Sequence, residues 1–366
     1  MSVLEKLVIQ NYRNIEFQEL HFSPNVNCIS GGNGEGKTNL LDAIWYLSMT
    51  KSAIAPNDSY NYRSGGKQFA LSGSYRMPNE TQARFSVAVK EGEKQLRRDD
   101  KPYSRISEHI GTLPIVMVSP ADTALISDSG EQRRRFANSV ISQIDRKYLN
   151  DVQTYNKYLQ HRNKLLKSDS LDPALLESID ERMDQYARAI YEARKSFVDA
   201  ISPIIQEYYA RISGQKEAVS VRYTSELEHN SLSDILAQTR ERDSRYGYTG
   251  SGVQKDDLVF SINDLALRHC GSQGQQKSFL VAVKFAQYEL MKERCGQAPI
   301  LLLDDLFDKL DMDRVANLLA MVAGNDFGQI FITDSNKVRI SNIVDKLTRE
   351  RSYFETIGGV YTEIDG

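Results

Sequence analysis

Gly31-Gly32-Asn33-Gly34-Glu35-Gly36-Lys37-Thr38 follows the pattern GxxxxGK[ST]. It stands between NVNCIS, a strand candidate ending at Ser30, and TNLLDAIWYLS, whose apolar residues at 40, 41, 44, 45 and 47 share one helix face. Strand, glycine loop and helix in that order restrict the chain to an α/β architecture around a phosphate site. The glycines let backbone N–H groups turn inward, and the helix N-terminus adds favourable partial charge. In this arrangement Lys37 is expected to meet the β and γ phosphates of ATP, and Thr38 the Mg²⁺.

Such a loop needs a carboxylate on a neighbouring strand. Ile300-Leu301-Leu302-Leu303-Asp304-Asp305 supplies four apolar residues, suited to a buried parallel strand, and ends in two acids. Side chains alternate along a strand, so the two acids divide the work. Asp304 is the expected metal partner and Asp305 the expected orienter of attacking water.

The remaining segments organise around this pair. Two alternating stretches, LEKLVIQN and IEFQELHF, precede the glycine loop. FALSGSY, RFSVAVK and LPIVMVS follow it and suggest an antiparallel sheet beside the nucleotide site. From about 131 to 240, apolar residues such as Ile144, Tyr148, Val152, Tyr155, Leu159 and Leu166 recur at steps of three, four or seven, which predicts a helical lobe. The heptad-like register ends at KSDSLDP, too soon for an extended coiled-coil arm. YGYTGSG marks a return to strand and loop composition; then come an amphipathic segment at 275–294 and the strand candidates PILLLDD and GQIFITD with a helix between them. The expected division is 1–130 and 249–366 as two parts of an ATPase head, with 131–248 inserted.

Composition narrows the classes. With 366 residues and 40% hydrophobic content the chain can bury real cores. No run approaches the apolar length of a membrane span, and the start lacks a signal-peptide pattern, so a cytoplasmic protein is expected. Three cysteines with no CxxC pair indicate neither a disulfide framework nor a cysteine zinc site. A net charge of −3 gives no global attraction to nucleic acid, so DNA binding requires a local basic face. Two clusters offer one: Lys94, Arg97, Arg98, Lys101 and Arg105 in a turn-rich segment, and Arg133, Arg134 and Arg135 just after a capping-box pattern running from Ser129 to Gln132. Three arginines near a helix start oppose the helix dipole, which favours a binding role for them.

GSQGQQKS, residues 271–278, reads as a helix N-terminus with Ser272 and the following N–H groups, at Gln273, Gly274 and Gln275, open to an anion. A serine-glycine-glutamine signature between phosphate loop and acid strand resembles the ABC-type ATPases, in which two protomers sandwich ATP head to tail. Within that superfamily the chain resembles the SMC-like RecF family of bacterial recombination mediators. The resemblance is carried by NYRN, GKTNLLDAI, VMVSPADTALI, EQRRRF, KDDL, SQGQQK, LLLDD and GQIFIT in order along the whole chain. It implies a P-loop ABC-type ATPase head, a mixed sheet flanked by helices plus an antiparallel sheet, with a short inserted helical lobe. It also implies Arg13 of NYRN among the ATP-binding residues, a homodimer formed with ATP and weak DNA-stimulated ATPase activity. The further implications are binding of double-stranded DNA near single-strand gaps, RecR and RecO as partners, and a role in loading recombinase during repair and replication restart.

The chain departs from that pattern in places. Where the family often shows GPHRDDL it has Gly252-Val253-Gln254-Lys255-Asp256-Asp257-Leu258, and RRxFxD appears with Asn138 in place of the acid. Ser119-Pro120 stands where many ABC ATPases place a metal-sensing glutamine, and Thr333 where many place a switch histidine. Slow chemistry is expected, fit for a timer. The rival readings are a transporter's nucleotide-binding subunit, which duplex DNA binding would exclude, and a small-molecule kinase, which gives SQGQQK no task.

Overall fold

The computed structural model describes residues 1–168, 172–214, 217–305, 327–336 and 350–364. The chain opens with β1 (Val3–Tyr12), β2 (Ile15–His21), β3 (Val26–Ser30) and α1 (Lys37–Met49), continues through β4 (Gln68–Arg76), β5 (Gln82–Lys90), β6 (Glu93–Arg98) and β7 (Lys101–Pro102), and reaches β8 (Ile115–Val118). Next come α2 (Ala124–Ser127), α3 (Gly130–Ile144), α4 (Arg146–Leu165), α5 (Pro173–Ser213), β9 (Val219–Thr224) and α6 (Leu232–Tyr246). The last described elements are β10 (Asp257–Ile262), β11 (Leu265–Ala266), α7 (Leu267–Cys270), α8 (Gln273–Cys295), β12 (Ile300–Asp304), β13 (Ile330–Asp334), β14 (Arg351–Ile357) and β15 (Val360–Ile364). The helix expected between PILLLDD and GQIFITD lies outside the described residues.

Two compact units result: Met1–Asp122 with Arg211–Gly214 and Val281–Gly366, and Thr123–Ala210 with Gln215–Leu280. The first unit holds two sheets. One is antiparallel, in the order β2-β1-β4-β5-β6-β7, and the other is mixed, in the order β15-β14-β3-β13-β12-β8. β5 shows why the antiparallel strands form: QARFSVAVK alternates, so Ala83, Phe85, Val87 and Val89 are buried while their neighbours face outward. The parallel strands of the mixed sheet are apolar without alternation, and β3, β8, β12 and β13 are buried along their whole length. Leu40, Leu41, Ile44 and Leu47 of α1 join one continuous core with Leu7, Ile9 and Phe85 of the first sheet and Ile29, Leu302 and Phe331 of the second. Burying such side chains contributes on the order of 1.5–3 kcal/mol each.

LPIVMVS does not extend the antiparallel sheet. Ile115–Val118 pair in parallel with Ile300–Leu303 at the edge of the mixed sheet, because four successive apolar residues suit a strand covered on both faces. Lys94, Arg97 and Arg98 lie in a strand rather than a turn, since Leu96 completes the buried face opposite Val87.

The second unit is helical but carries the three-stranded sheet β11-β10-β9. β9 falls inside the stretch read as helical. Val219 and Val221 alternate with exposed neighbours and pair with Ile262 and Phe260, partners some forty residues away that local periodicity does not register. No helix among the described residues is long and apolar enough to cross a membrane.

Candidate nucleotide site

The mixed sheet brings the phosphate loop and the acids together. β3 delivers the loop, β12 delivers Asp304, and β13 lies between them in parallel with both. α1 starts at Lys37 after Gly36, whose φ of 110° is open to glycine alone in practice, and no side chain caps this helix. The Asn39 N–H bonds back to the Gly36 carbonyl (2.8 Å), while those of Lys37 and Thr38 take no partner among the described contacts and suit an anion. A Cβ on Gly36 would come 2.8 Å from the Asn14 amide nitrogen, and one on Gly31 would come 2.6 Å from the Thr356 carbonyl oxygen, so both glycines are required by close packing.

Lys37 is buried, and its Nζ donates to the carbonyls of Gly31 (3.0 Å) and Gly32 (3.1 Å). Its charge thus sits inside the curve of the loop. The Thr38 hydroxyl donates to Asp304, with Oγ1 3.0 Å from Oδ1 and 2.9 Å from Oδ2. Burial pushes the Asp304 carboxyl above the ordinary carboxylate range; the hydroxyls of Thr333 and Thr38 pull it down, Asp305 pushes it up and Lys37 pulls it down. Asp305 follows the strand with φ at 44°, in the left-handed region.

Arg13 stands at the β1–β2 turn, also left-handed, with Nη1 3.4 Å from Asn39 Oδ1 and Nη2 3.2 Å from Asp42 Oδ2 and from Ser52 Oγ. Asp42 is fully buried and also accepts from Tyr12 and from the Ala53 N–H, so Arg13 is held against α1 by a fixed carboxylate. Its neighbour Asn14 was not singled out from the sequence. It donates to the Glu35 carbonyl (3.2 Å) and accepts from Asn39 (2.7 Å). The same carbonyl accepts from Gly359 N (3.0 Å) and the Thr356 hydroxyl (3.2 Å); the Glu35 carboxylate accepts from Gly358 N, and the Tyr361 hydroxyl donates to the Gly36 carbonyl (2.7 Å). The β14–β15 hairpin therefore grips the loop. The paired glycines at 358 and 359 were the only sequence signal for it, and they mark a turn without naming its partner.

In the other unit, Ser272 and Gln275 form a reciprocal cap at the start of α8. Gln275 N donates to the Ser272 hydroxyl oxygen (3.2 Å), and Ser272 N donates to Gln275 Oε1 (2.7 Å). The Ser272 oxygen is thus already an acceptor and the Gln275 N–H already engaged, a correction to reading the whole hydroxyl and that N–H as open; the Ser272 O–H hydrogen is not used in that cap. Gln275 in turn donates to Glu217 (2.8 Å), which also accepts from Tyr209 (2.8 Å). Gln273 and Gly274 occupy the first turn of the helix. The capping pattern at Ser129 fails: its side chain makes no cap bond, and Gln132 N donates to its carbonyl instead.

The basic clusters separate. Arg133 is buried, with Nε 2.7 Å and Nη2 2.9 Å from the Asp257 carboxylate and Nη1 donating to the carbonyls of Leu125 and Asp128. Four of its five N–H donors are thus engaged inside the protein, which makes Arg133 a poorer candidate for DNA than its neighbours. Arg134 is half-buried and donates to the Asp256 carbonyl (2.7 Å), while Arg135 is exposed and pairs with Glu131 (2.5 Å). On β6, Arg97 lies opposite Ser86 and Arg98 opposite Phe85, so alternation sends them to different faces.

The family model described as an AAA domain matches residues 6–220. The DNA replication and repair protein RecF of Parabacteroides distasonis is 43% identical over 357 residues, 98% of each chain, and that of Phocaeicola vulgatus is 43% identical over 364 residues, 99% of this chain and 98% of its own. A solved structure described as the recombination mediator protein RecF-ATP in the RecFOR pathway superposes with a TM-score of 0.91 at 27% identity, covering 100% of this chain and 98% of that one. An Smc head domain from Pyrococcus furiosus, at 18% identity and a TM-score of 0.59, covering 100% of this chain and 96% of its own, shares the fold. With a phosphate loop, an acid strand and relatives matched from end to end, this chain belongs to the RecF family of DNA replication and repair proteins.

Proposed function

We propose that the chain is an ATP-timed clamp on duplex DNA, acting as a recombination mediator near single-strand gaps. The observation that carries this reading is the contact of Thr38 with Asp304, in which residues 266 positions apart place a hydroxyl and a carboxylate side by side at the phosphate loop. Gly31, Gly32, Asn33, Gly34, Glu35 and Gly36 wrap the phosphates with their backbone. Lys37 holds the β and γ oxygens, and Arg13 borders the nucleotide. Thr38 and Asp304 are the residues that would hold Mg²⁺; one hydroxyl with one carboxylate behind it suits an ion that keeps phosphate and water as its other ligands. When bound, the ion supplies neutralisation of phosphate charge. Asp305 orients the attacking water.

Ser272, with Gln273, Gly274 and Gln275, caps ATP held by a second copy, so ATP joins two protomers. The functional division places 1–130 and 249–366 in the ATPase head and 131–248 in the lobe. Duplex DNA phosphates meet Arg97, Arg98, Arg134 and Arg135, and DNA stimulates a weak ATPase in the cytoplasm. RecO and RecR are the expected partners, supported by the RecFOR pathway named for the similar solved structure.

The test is sedimentation and ATP hydrolysis of Ser272→Arg and Lys37→Ala, each alone and mixed. Ser272→Arg is expected to bind ATP and fail to dimerise, and Lys37→Ala to lose about a hundredfold or more in ATP affinity. The mixture should regain activity, because one composite site then joins a normal signature to a normal phosphate loop. Dimerisation of Ser272→Arg at the normal concentration would overturn the sandwich, and normal ATP affinity of Lys37→Ala would overturn the loop assignment.

A further inference from the structure

We propose that Thr333 is a positioning residue for ATP hydrolysis, its single hydroxyl fixing both acids of the site. The inference rests on the ATPase reading above and deepens it. Thr333 is fully buried near the end of β13, the strand between the phosphate-loop strand and the acid strand, and lies opposite Asp304 in the parallel register. Its Oγ1 donates to Asp304 Oδ1 at 2.7 Å. The same oxygen accepts the backbone N–H of Asp305 at 3.0 Å.

The two bonds act on different parts of the site. The first completes a clamp on the Asp304 carboxylate, which Thr38 holds from the phosphate-loop helix, so the carboxylate is fixed between two hydroxyls. The second holds the backbone where the chain leaves β12: the ladder ends at Asp304–Thr333, and Asp305 turns to φ 44°, unfavourable for a residue with a Cβ. Only a hydroxyl donates and accepts at one atom in a space this small. Valine fills the same volume and does neither; serine does both. The missing switch histidine therefore corresponds to a group that aligns the acids rather than an empty role.

The experiment uses the full chain with Thr333→Val, Thr333→Ser and Thr333→Ala, with Lys37→Ala alongside. It measures kcat, the equilibrium affinity for a fluorescent ATP analogue with and without Mg²⁺, and the unfolding midpoint of the nucleotide-free protein. Thr333→Val is expected to lower kcat about 10- to 100-fold while analogue affinity without Mg²⁺ stays within about threefold, and Thr333→Ser to stay within about threefold on both counts. If Thr333→Val does not fold, serine against alanine repeats the contrast, since they differ only in the hydroxyl. A normal kcat in the valine and alanine variants would overturn the proposal, as would equal loss of kcat and analogue affinity in all three, serine included, which would leave Thr333 a packing role. If Lys37→Ala retains affinity, the ATPase reading itself fails; if it loses affinity while Thr333→Val turns over normally, only the role of Thr333 does.

Discussion

Buried charged residues find different partners in the two units. In the unit that holds the phosphate loop, Lys37, Thr38 and Asp304 come together around a loop whose N–H groups have no side-chain cap. In the unit formed by Thr123–Ala210 and Gln215–Leu280, charges turn inward. Arg133 clasps Asp257; Arg194 is buried and bonds to Asp256 (3.0 Å), the Val253 carbonyl, Tyr148 and Asn138; Arg162 bonds to Asp180 (2.6 Å), Asp243 (2.8 Å) and Thr249 (2.9 Å). Several of these contacts tie helices to the segment 249–258, which includes KDDL. The buried arginines of the second unit are therefore committed to the fold, whereas Lys37 and Asp304 converge on the phosphate loop. The departure at Asn138 fits the second role, because an amide oxygen still accepts from Arg194 and Tyr148.

Arg162 carries the largest of these inward commitments. Removing it leaves Asp180 and Asp243 without their buried cation, with only the more distant Arg240 and Arg242 charges near them, and Arg162→Ala is expected to cost about 3 kcal/mol of stability. ATP affinity of the folded fraction should stay unchanged. Chemical denaturation and analogue binding measured together check this, and a variant that lost affinity without losing stability would place Arg162 in the nucleotide machinery.

A second test concerns the phosphate-loop unit, where a buried histidine serves the fold rather than a ligand. His109 contacts Tyr103 and the Leu47 carbonyl; burial, helped by the nearby Arg98 charge and opposed by the Leu47 bond, lowers its pKa from 6.5 to about 4. The folded protein binds this proton less readily than the unfolded chain. Its contribution is whole above pH 6.5 and is lost as pH falls towards 4, by up to about 3 kcal/mol. His109→Gln should flatten this part of the pH–stability curve, and an unchanged slope would assign acid sensitivity elsewhere.

The smallest effect sharpens the contrast among the arginines. Arg97→Gln and Arg135→Gln should each lower the slope of log K against log salt for duplex DNA by up to about one unit. Arg133→Gln should leave the slope alone and lower the unfolding midpoint. A slope change for Arg133→Gln would mean that its pair with Asp257 opens on DNA.

How much of this was legible depends on the range of the forces involved. Loop, strand and helix around Lys37 could be read directly, because glycine conformations, period-two burial and the one-sided helix are local properties of adjacent residues. The pairing of Thr38 with Asp304 was expected from chemistry alone. The grip of the hairpin on Glu35, the hold of Glu217 on Gln275 and the inward turn of Arg133 were not, since each joins residues tens to hundreds of positions apart.

The α/β class, the phosphate loop, the acid strand and the family all rest on ordered short patterns that neighbouring residues carry. Tertiary structure alone decided which charges face outward. A row of arginines reads the same whether solvated or buried, and only the partner that folding brings to it, Asp257 for Arg133 and none but Gln95 and solvent for the side chain of Arg97 among the described contacts, settles whether its charge is spent inside the molecule or offered to another.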